Sequence, residues 1–378
     1  MRYLHLVHDE KFIDGLIRRC ERVLPGEHTY ALESNTGADS VKQIRNVSKL
    51  SFVESFSRLQ WSVFEGGYPR AIICHFLSAQ KAAYLLGMSG SSNIMWAEWG
   101  ADLYPFCVEP ATLFLADTYK EYVRTRSRKE IIIEHLRPRL YKYAPRLTKA
   151  RQLYSRIDFV APVVPEEWGF ITTLPGMRAK RVRFNYGGLS DCVGQGIDRV
   201  ATGSNVLVGN SCSITSNHID VFRMLADVDL SGRKVIVPLS YGGDGGGYYK
   251  ALVVDKGKYY LGNKFIPLVE FTPLEQYLDI MQSCQHAIYC HVRQQAVGNV
   301  LASIWMGASL YLHENSPVYR HLKALGIVIN AICPARGIQL TSPPDLNKQR
   351  SLLLREYADD IVDARVKYCL EEIAAPRI

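Results

Sequence analysis

Paired cysteines are missing from this chain. Its nine cysteines (Cys20, Cys74, Cys107, Cys192, Cys212, Cys284, Cys290, Cys333 and Cys369) are scattered and odd in number, and no two stand as C-x-x-C. A disulfide framework and a structural zinc site are therefore not expected, and a reducing compartment is the simplest home. Long apolar runs are missing too. The longest, Val297 to Leu312, is interrupted by Gly298, Asn299, Ser303, Gly307 and Ser309 and stops short of the roughly 20 residues a membrane span needs. The opening MRYLHLVHDEKF passes from a short apolar run straight into charge, which predicts no signal peptide. There is no G-x-G-x-x-G, no P-loop, no internal repeat and no low-complexity tract.

What is present is an ordinary globular composition. At 378 residues, with 47% hydrophobic and 22% charged residues, the chain predicts two domains with sizeable cores and excludes disorder, collagen and coiled coil. The net charge is +8, from 45 Lys and Arg against 37 Asp and Glu. Residues 118–156 carry twelve of those cations against three acids, so this stretch is +9 and the rest of the chain is −1. Tyr119, Tyr122, Tyr141, Tyr143 and Tyr154 are interleaved with the cations, and Ile131–Ile133, Leu136 and Leu140 add an apolar stripe. That combination suits an anionic membrane surface; a solvated helical face is the plain alternative, and no nucleic-acid fold signature accompanies it.

Short β-type runs alternate with helical ones. Tyr3–Val7, Ala71–His75 and Ile94–Trp96 read as strands, with helices at Phe12–Leu24 and Leu77–Met88. A second series has strands at Asn205–Val208, Lys234–Val237, His286–Tyr289, Ser309–Leu312 and Ile327–Ile329, and helices at Asn217–Leu225, Leu274–Ser283 and Val297–Met306. Two parallel α/β domains follow: an N-terminal one over 1–190 bearing the basic arm 118–156, and a C-terminal one over 204–345. The Gly-rich stretch 185–204 predicts a linker, and 346–378 a helix packing back toward the N-terminal domain.

Four segments suggest chemistry. Val206–Phe222 places a Gly209–Asn210–Ser211 turn and a helix start near Asn217 after a buried strand, an anion-binding arrangement that is also an ordinary strand-to-helix connection. Val235–Lys250 runs from a strand ending in Pro238, through Ser240 and Tyr241, into five glycines between Gly242 and Gly247. Such a loop suits close approach to a ligand, or is simply a flexible loop. Cys290–Tyr319 carries Arg293, Gln294 and Gln295 after a strand, then Gly298 and Asn299 opening a helix, a set suited to a diphosphate. Ile94–Phe106 puts Glu98 and Asp102 among Trp96, Trp99 and Tyr104, as a saccharide site requires, although both acids also fit turn or cap roles. His8 and His75 end strands nearby. Asp227–Val228–Asp229 has D-x-D form but reads as a turn, and no metal is expected.

Together these segments resemble the 4-acetamido-4,6-dideoxygalactose (Fuc4NAc) transferases, which complete the lipid-linked trisaccharide of enterobacterial common antigen. The resemblance is carried by Trp99–Tyr104 (WGADLY), Val208–Ser211 (VGNS), Ser216–Ile219 (SNHI), the strand ending in Pro238, Arg293–Gln295 (RQQ) with Gly298, and Glu314–Asn315 followed by Pro317. Their order and spacing agree over about residues 70–325; Glu98 and the Gly242–Tyr248 loop lie outside the pattern. The resemblance implies a GT-B glycosyltransferase, two Rossmann-like domains facing a cleft. It further implies a peripheral enzyme of the cytoplasmic face of the inner membrane, one that would use a dTDP-sugar and a polyprenyl-diphosphate-linked saccharide without metal or other cofactor. It assigns the region around Trp99 and Asp102 to the acceptor; Tyr104 within it is a further acceptor candidate, as are His8 and His75, although a lone histidine is usually structural. Gly209, Asn210, Ser211, Asn217, Ser240, Tyr241, Gln294, Gln295 and Gly298 go to the donor; Asn299 beside Gly298 is a further donor candidate, and so is Glu270, which suits ribose hydroxyls or is equally a simple loop residue. Arg293 stabilises the leaving diphosphate. An inverting reaction needs a base, Asp102 first and Glu98 second; in a retaining one the diphosphate takes the proton, as an α-linked product from an α-linked donor implies. A sugar-nucleotide epimerase and a non-catalytic assembly adaptor remain as other readings.

Overall fold

In the computed structural model of the chain, residues 2–56, 68–88, 90–143, 149–194, 196–242 and 247–376 are described, without the side chains of 141–143. Thirteen strands lie among the described residues, most of them apolar stretches. The first seven are β1 (Tyr3–Val7), β2 (His28–Glu33), β3 (Leu50–Val53), β4 (Ala71–His75), β5 (Asn93–Ala97), β6 (Phe159–Ala161) and β7 (Lys180–Arg181). They make one parallel sheet in the order β3-β2-β1-β4-β5-β6-β7. The other six, β8 (Asn205–Val208), β9 (Val235–Pro238), β10 (Phe265–Leu268), β11 (Cys284–Tyr289), β12 (Ser309–His313) and β13 (Asn330–Ile332), make a second, ordered β10-β9-β8-β11-β12-β13. It too is parallel throughout.

Each sheet winds outward from its first strand, one way and then the other. The direction reverses between β1 and β4 in the first sheet and between β8 and β11 in the second. Loops leaving the carboxyl ends of two such strands diverge to opposite faces and leave a crevice, where ligands bind in open α/β sheets.

The first sheet buries both faces. Tyr3, Val7, Tyr30, Ile73 and Met95 meet Leu16, Ile17 and Cys20 of the helix Ile13–Val23 and Val366 and Leu370 of the helix Asp359–Ile373. Leu4, Leu6, Ile72, Cys74 and Trp96 meet Leu85, Leu153 and Tyr154 on the opposite side. In the second sheet Val206, Val208, Val235, Val237 and Ile288 pack with Ile219, Phe222, Tyr249 and Val253.

The chain divides into two units at boundaries that differ from the sequence expectation. One holds Met1–Val108, Leu136–Gly188 and Asp359–Ile378; the other holds Glu109–His135 and Leu189–Ala358. The basic arm is thus shared. Asp220 accepts from the backbone N–H groups of Asp117 (3.0 Å) and Thr118 (2.8 Å), which fastens the start of the helix Ala116–Arg124 to the second unit. Ala150, Leu153 and Tyr154 are buried in the core of the first. The expected linker contains a short helix, Leu189–Val193, whose end residues are buried. The expected single tail helix is two, because the chain leaves helical geometry at Ala358. Leu346–Tyr357 packs in the second unit, where Tyr357 bonds His321 (2.8 Å). Asp359–Ile373 packs in the first, where Arg19 bonds Asp359 (2.9 Å) and Arg22 bonds Asp363 (2.7 Å).

Candidate functional site

At the reversal point of the second sheet the loops after β8 and β11 interlock. Gly209 ends β8 with φ of +70°, and a Cβ there would lie 2.8 Å from Nε2 of the buried His218, so this turn requires glycine. Gln295, from the loop after β11, spans the crevice: its Nε2 donates to Asn210 Oδ1 (3.1 Å) and its Oε1 accepts from Thr215 Oγ1 (2.7 Å). Thr215 also accepts from Arg293 Nε (3.2 Å), and Arg293 Nη1 donates to the Gln294 carbonyl (3.0 Å). One hydrogen-bonded network therefore joins Asn210, Thr215, Arg293 and Gln295.

Two helices start beside this network, His218–Ala226 and Val297–Trp305. The residues before them, Asn217 (φ 53°) and Ala296 (φ 62°), are left-handed without being glycine, local strain of the kind concentrated at ligand sites. Helix starts carry unsatisfied N–H groups and a positive dipole end, and Arg293 adds a fixed cation. The arrangement can hold a polyanion.

Most donor-side residues named from the sequence do converge here, and four, Asn217, Ser240, Tyr241 and Glu270, stand differently. Asn217 is fully buried; its Oδ1 accepts from Leu115 N (2.9 Å) and its Nδ2 donates to the Cys290 carbonyl (2.8 Å), so it ties three segments together. Asn299 and Gly298 sit in the first turn of their helix. Tyr241 stays exposed while its carbonyl accepts from Cys212 N (2.7 Å), and Ser240 beside it is exposed. Glu270 is exposed beyond β10, two strands from β8. Residues 243–246 of the glycine loop lie outside the described residues. Thr215 and the buried His291, whose Nε2 lies 3.3 Å from Ser216 Oγ, were missed by the sequence reading although both stand inside its motifs.

The reversal point of the first sheet is aromatic. His8 follows β1 and Phe76 follows β4; Trp99 packs against Phe12 (ring centroids 4.7 Å apart), Phe76 (5.5 Å), Tyr186 (5.9 Å) and His8 (6.1 Å). Trp99 Nε1 donates to the Tyr186 hydroxyl, which lies 2.6 Å from His75 Nδ1. The chain continues through His75 Nε2 to His5 Nδ1 (2.9 Å) and His5 Nε2 to His28 Nδ1 (3.0 Å). His75 is thus enclosed, and burial holds its basicity well below the ordinary histidine value. His5 of β1, His28 of β2 and Cys20 bring ligand-type atoms within 4.8 Å of one another.

The carboxylates nominated as bases are both held by other donors. Asp102 is 3% exposed. Its Oδ2 accepts from Leu77 N and Trp96 Nε1 (2.7 Å each) and its Oδ1 from Trp99 N (2.8 Å). Burial raises its pKa, although these three bonds pull the other way. Glu98 accepts from Gly100 N and from Val163 N (2.9 Å). Burial and the adjacent Glu167, which is hydrogen-bonded to it, push it well above the usual carboxylate range. Tyr104, expected at the acceptor, is buried and donates to Glu167 Oε1 (2.9 Å). These groups knit loops together. Lys81, which the sequence did not flag, is buried and donates to the carbonyls of Leu6 (2.9 Å) and His75 (2.6 Å), fastening the ends of β1 and β4.

The two parallel α/β units have the architecture of the GT-B class of glycosyltransferase fold, as do solved structures similar to this chain. Solved structures of similar fold span nearly the whole chain. One described as trehalose-6-phosphate from E. coli bound with UDP-2-fluoro glucose has a TM-score of 0.60 at 8% identity, covering 100% of both chains. A sucrose-phosphate synthase from Thermosynechococcus elongatus has 0.56 at 10%, covering 99% of this chain and 96% of its own. A glycosyltransferase from Rickettsia africae has 0.54 at 9%, covering 99% and 93%. More particularly, residues 195–331 match the model of the family described as 4-alpha-L-fucosyltransferase glycosyl transferase group 56. That stretch contains the whole Asn210–Thr215–Arg293–Gln295 network, and with the fold it supports glycosyltransferase activity.

Proposed function

We propose that the protein is a metal-independent hexosyltransferase that moves an acetamido-dideoxyhexose of the Fuc4NAc kind from a dTDP-sugar to a polyprenyl-diphosphate-linked saccharide. It does so at the cytoplasmic face of the inner membrane, in surface polysaccharide synthesis. The reading rests above all on the network at the second reversal point, because it lies within the stretch that matches the family and offers a cation, helix starts and a glycine turn to a diphosphate. The sugar is taken from the sequence resemblance. Departure of the diphosphate needs charge stabilisation, which Arg293 and nearby backbone N–H groups supply without an ion.

The test is a thermal-shift series with dTDP, UDP and GDP. A ligand present at a hundredfold excess over its Kd adds about 2.7 kcal/mol to apparent stability. dTDP is expected to give the largest rise in melting temperature. No rise with dTDP, or a larger rise with UDP or GDP, overturns the donor assignment.

Membrane attachment is supported by the helix Arg128–Tyr143. Ile132 (57% exposed), Ile133 (46%), Leu136 (44%) and Leu140 (42%) form an uncovered apolar stripe alongside Arg128, Lys129 and Arg139. Each cation near an anionic bilayer contributes about 1 kcal/mol. Replacing Arg126, Arg128, Lys129, Arg137 and Arg139 by Ser is expected to abolish sedimentation with phosphatidylglycerol vesicles while the dTDP shift stays as in the wild type. Unchanged sedimentation removes the membrane role.

A further inference from the structure

Three side chains of the kind that bind transition metals meet in the first unit, where the helix Ile13–Val23 packs on the sheet. His5 comes from β1, His28 opens β2 and Cys20 stands in the helix, and one ligand atom from each lies within 4.8 Å of the other two. Their separations along the chain, 15 residues and then 8, match no zinc signature, and without C-x-x-C nothing in the sequence marks them. The fold brings them together. Parallel pairing sets Tyr3 opposite His28 and His5 opposite Tyr30, and the helix bearing Cys20 is the connection between those two strands.

Packing orients each ring. His5 stacks on Tyr30 (ring centroids 4.7 Å apart) and His75 (5.2 Å), and His28 stacks on Tyr3 (5.0 Å). His5 Nε2 lies 3.0 Å from His28 Nδ1, and two nitrogens on one tetrahedral zinc ion stand about 3.3 Å apart, so a small shift opens the pair to an ion. Sulfur and nitrogen on the same ion stand about 3.5 Å apart, which side-chain adjustment of Cys20 supplies. The outer partners that hold metal-binding histidines are in place as well. His5 Nδ1 lies 2.9 Å from His75 Nε2, and the His28 ring meets the backbone of Cys20 and Leu24 at the end of the helix. Burial keeps both imidazoles unprotonated, as ligation requires. Glu21 is near enough to act on Cys20, His28 and Tyr30, so a divalent cation beside one thiolate meets a second negative charge. His28 and Glu21 are half-buried, which leaves an ion a way in.

We propose that His5, Cys20 and His28 bind a zinc ion, with Glu21, which lies beside the Tyr30 hydroxyl and Cys20, as the candidate fourth ligand. Coordination forms one zinc–sulfur and two zinc–nitrogen bonds and releases the Cys20 thiol proton to water, and no electron is transferred. His5, ligating through Nε2, carries its own proton on Nδ1 and donates it to His75 Nε2. The ion's role is structural: it ties the helix to β1 and β2, and it supplies no step of the transfer proposed above.

The test uses the full chain, purified without chelator and incubated with ZnCl2 before dialysis. Plasma mass spectrometry is expected to find about one zinc per chain. Treatment with a chelator is expected to lower the melting temperature by about 5 °C or more, and ZnCl2 to restore it. Cobalt(II), a coloured stand-in for zinc, is expected to give thiolate-to-metal charge-transfer absorption in the wild type and in Cys107→Ser, and none in Cys20→Ser. The wild-type zinc content and cobalt spectrum need no variant to fold, and where Cys20→Ser does not fold, His28→Gln at the half-buried edge is expected to lose the zinc instead. A wild-type chain that takes up no zinc, or a cobalt complex without thiolate absorption, overturns the proposal. So does a folded Cys20→Ser that keeps its full zinc. A chain that holds copper(I) in place of zinc overturns the choice of ion. None of these outcomes touches the transferase reading, which the dTDP thermal shift tests separately.

Discussion

Arg293→Ala is expected to lower kcat/KM for transfer by about 100- to 1,000-fold, the usual effect of removing one fixed group that stabilises developing negative charge. The size follows from how the guanidinium is held. Its Nε is bound to Thr215 and its Nη1 to the neighbouring carbonyl, so the cation is positioned before the donor arrives and little ordering is left to do. Part of the loss should appear as a smaller dTDP thermal shift, because the ground-state diphosphate meets the same charge. Arg293→Lys keeps the charge and gives up the planar fork that bonds both Thr215 and a phosphate, so it should recover only part of the activity. Thr215→Val, which removes the tether and leaves the cation, should fall between wild type and Arg293→Ala. Activity of Arg293→Ala within about threefold of wild type would show that the diphosphate is stabilised elsewhere.

How much of this was legible in the sequence depended on whether neighbouring residues or distant ones decided each feature. Tyr3–Val7, Ala71–His75 and Asn205–Val208 are strands with the expected ends, because each is a mostly apolar run between clear breaks. β2, β3, β6, β7 and β10 were missed. Lys180–Arg181 and Leu50–Val53 are edge strands whose pairing comes from a neighbour on one side, and their own sequences carry little pattern. The last strand lies at Asn330–Ile332, just after the apolar run expected to form it, since Ile327 and Val328 finish the turn from the preceding helix. In the second unit the site was legible because its residues come in two compact motifs. In the first it was not, because the deciding contacts join positions far apart: Tyr186 with His75 and Trp99, Glu98 with Glu167, and Asp102 with Leu77. Acidic residues amid tryptophans look the same in sequence whether they face a sugar or an indole N–H.

The second large effect separates those two possibilities at Asp102. Asp102→Ala leaves Leu77 N–H, Trp96 Nε1–H and Trp99 N–H without their acceptor in a buried setting. At about 1–3 kcal/mol for each orphaned donor, discounted because the loops relax, a loss of about 3–5 kcal/mol is expected, read as a marked fall in the melting temperature. Asp102→Asn retains one carbonyl oxygen. Placed at the Oδ2 position it still serves Leu77 and Trp96, while its amide meets the Trp99 N–H donor to donor, so the loss should be about 1–3 kcal/mol. A structural carboxylate thus predicts a graded fall in stability, Ala beyond Asn, with any loss of transfer following from the displacement of Trp99 beside His8. A catalytic base predicts the reverse: Asn would melt near wild type and yet be as inactive as Ala, because neither side chain accepts a proton. Melting curves and kcat measured on the same two variants decide the matter, and Asp102→Asn with wild-type stability and a kcat loss of about 100-fold or more would restore Asp102 as the base.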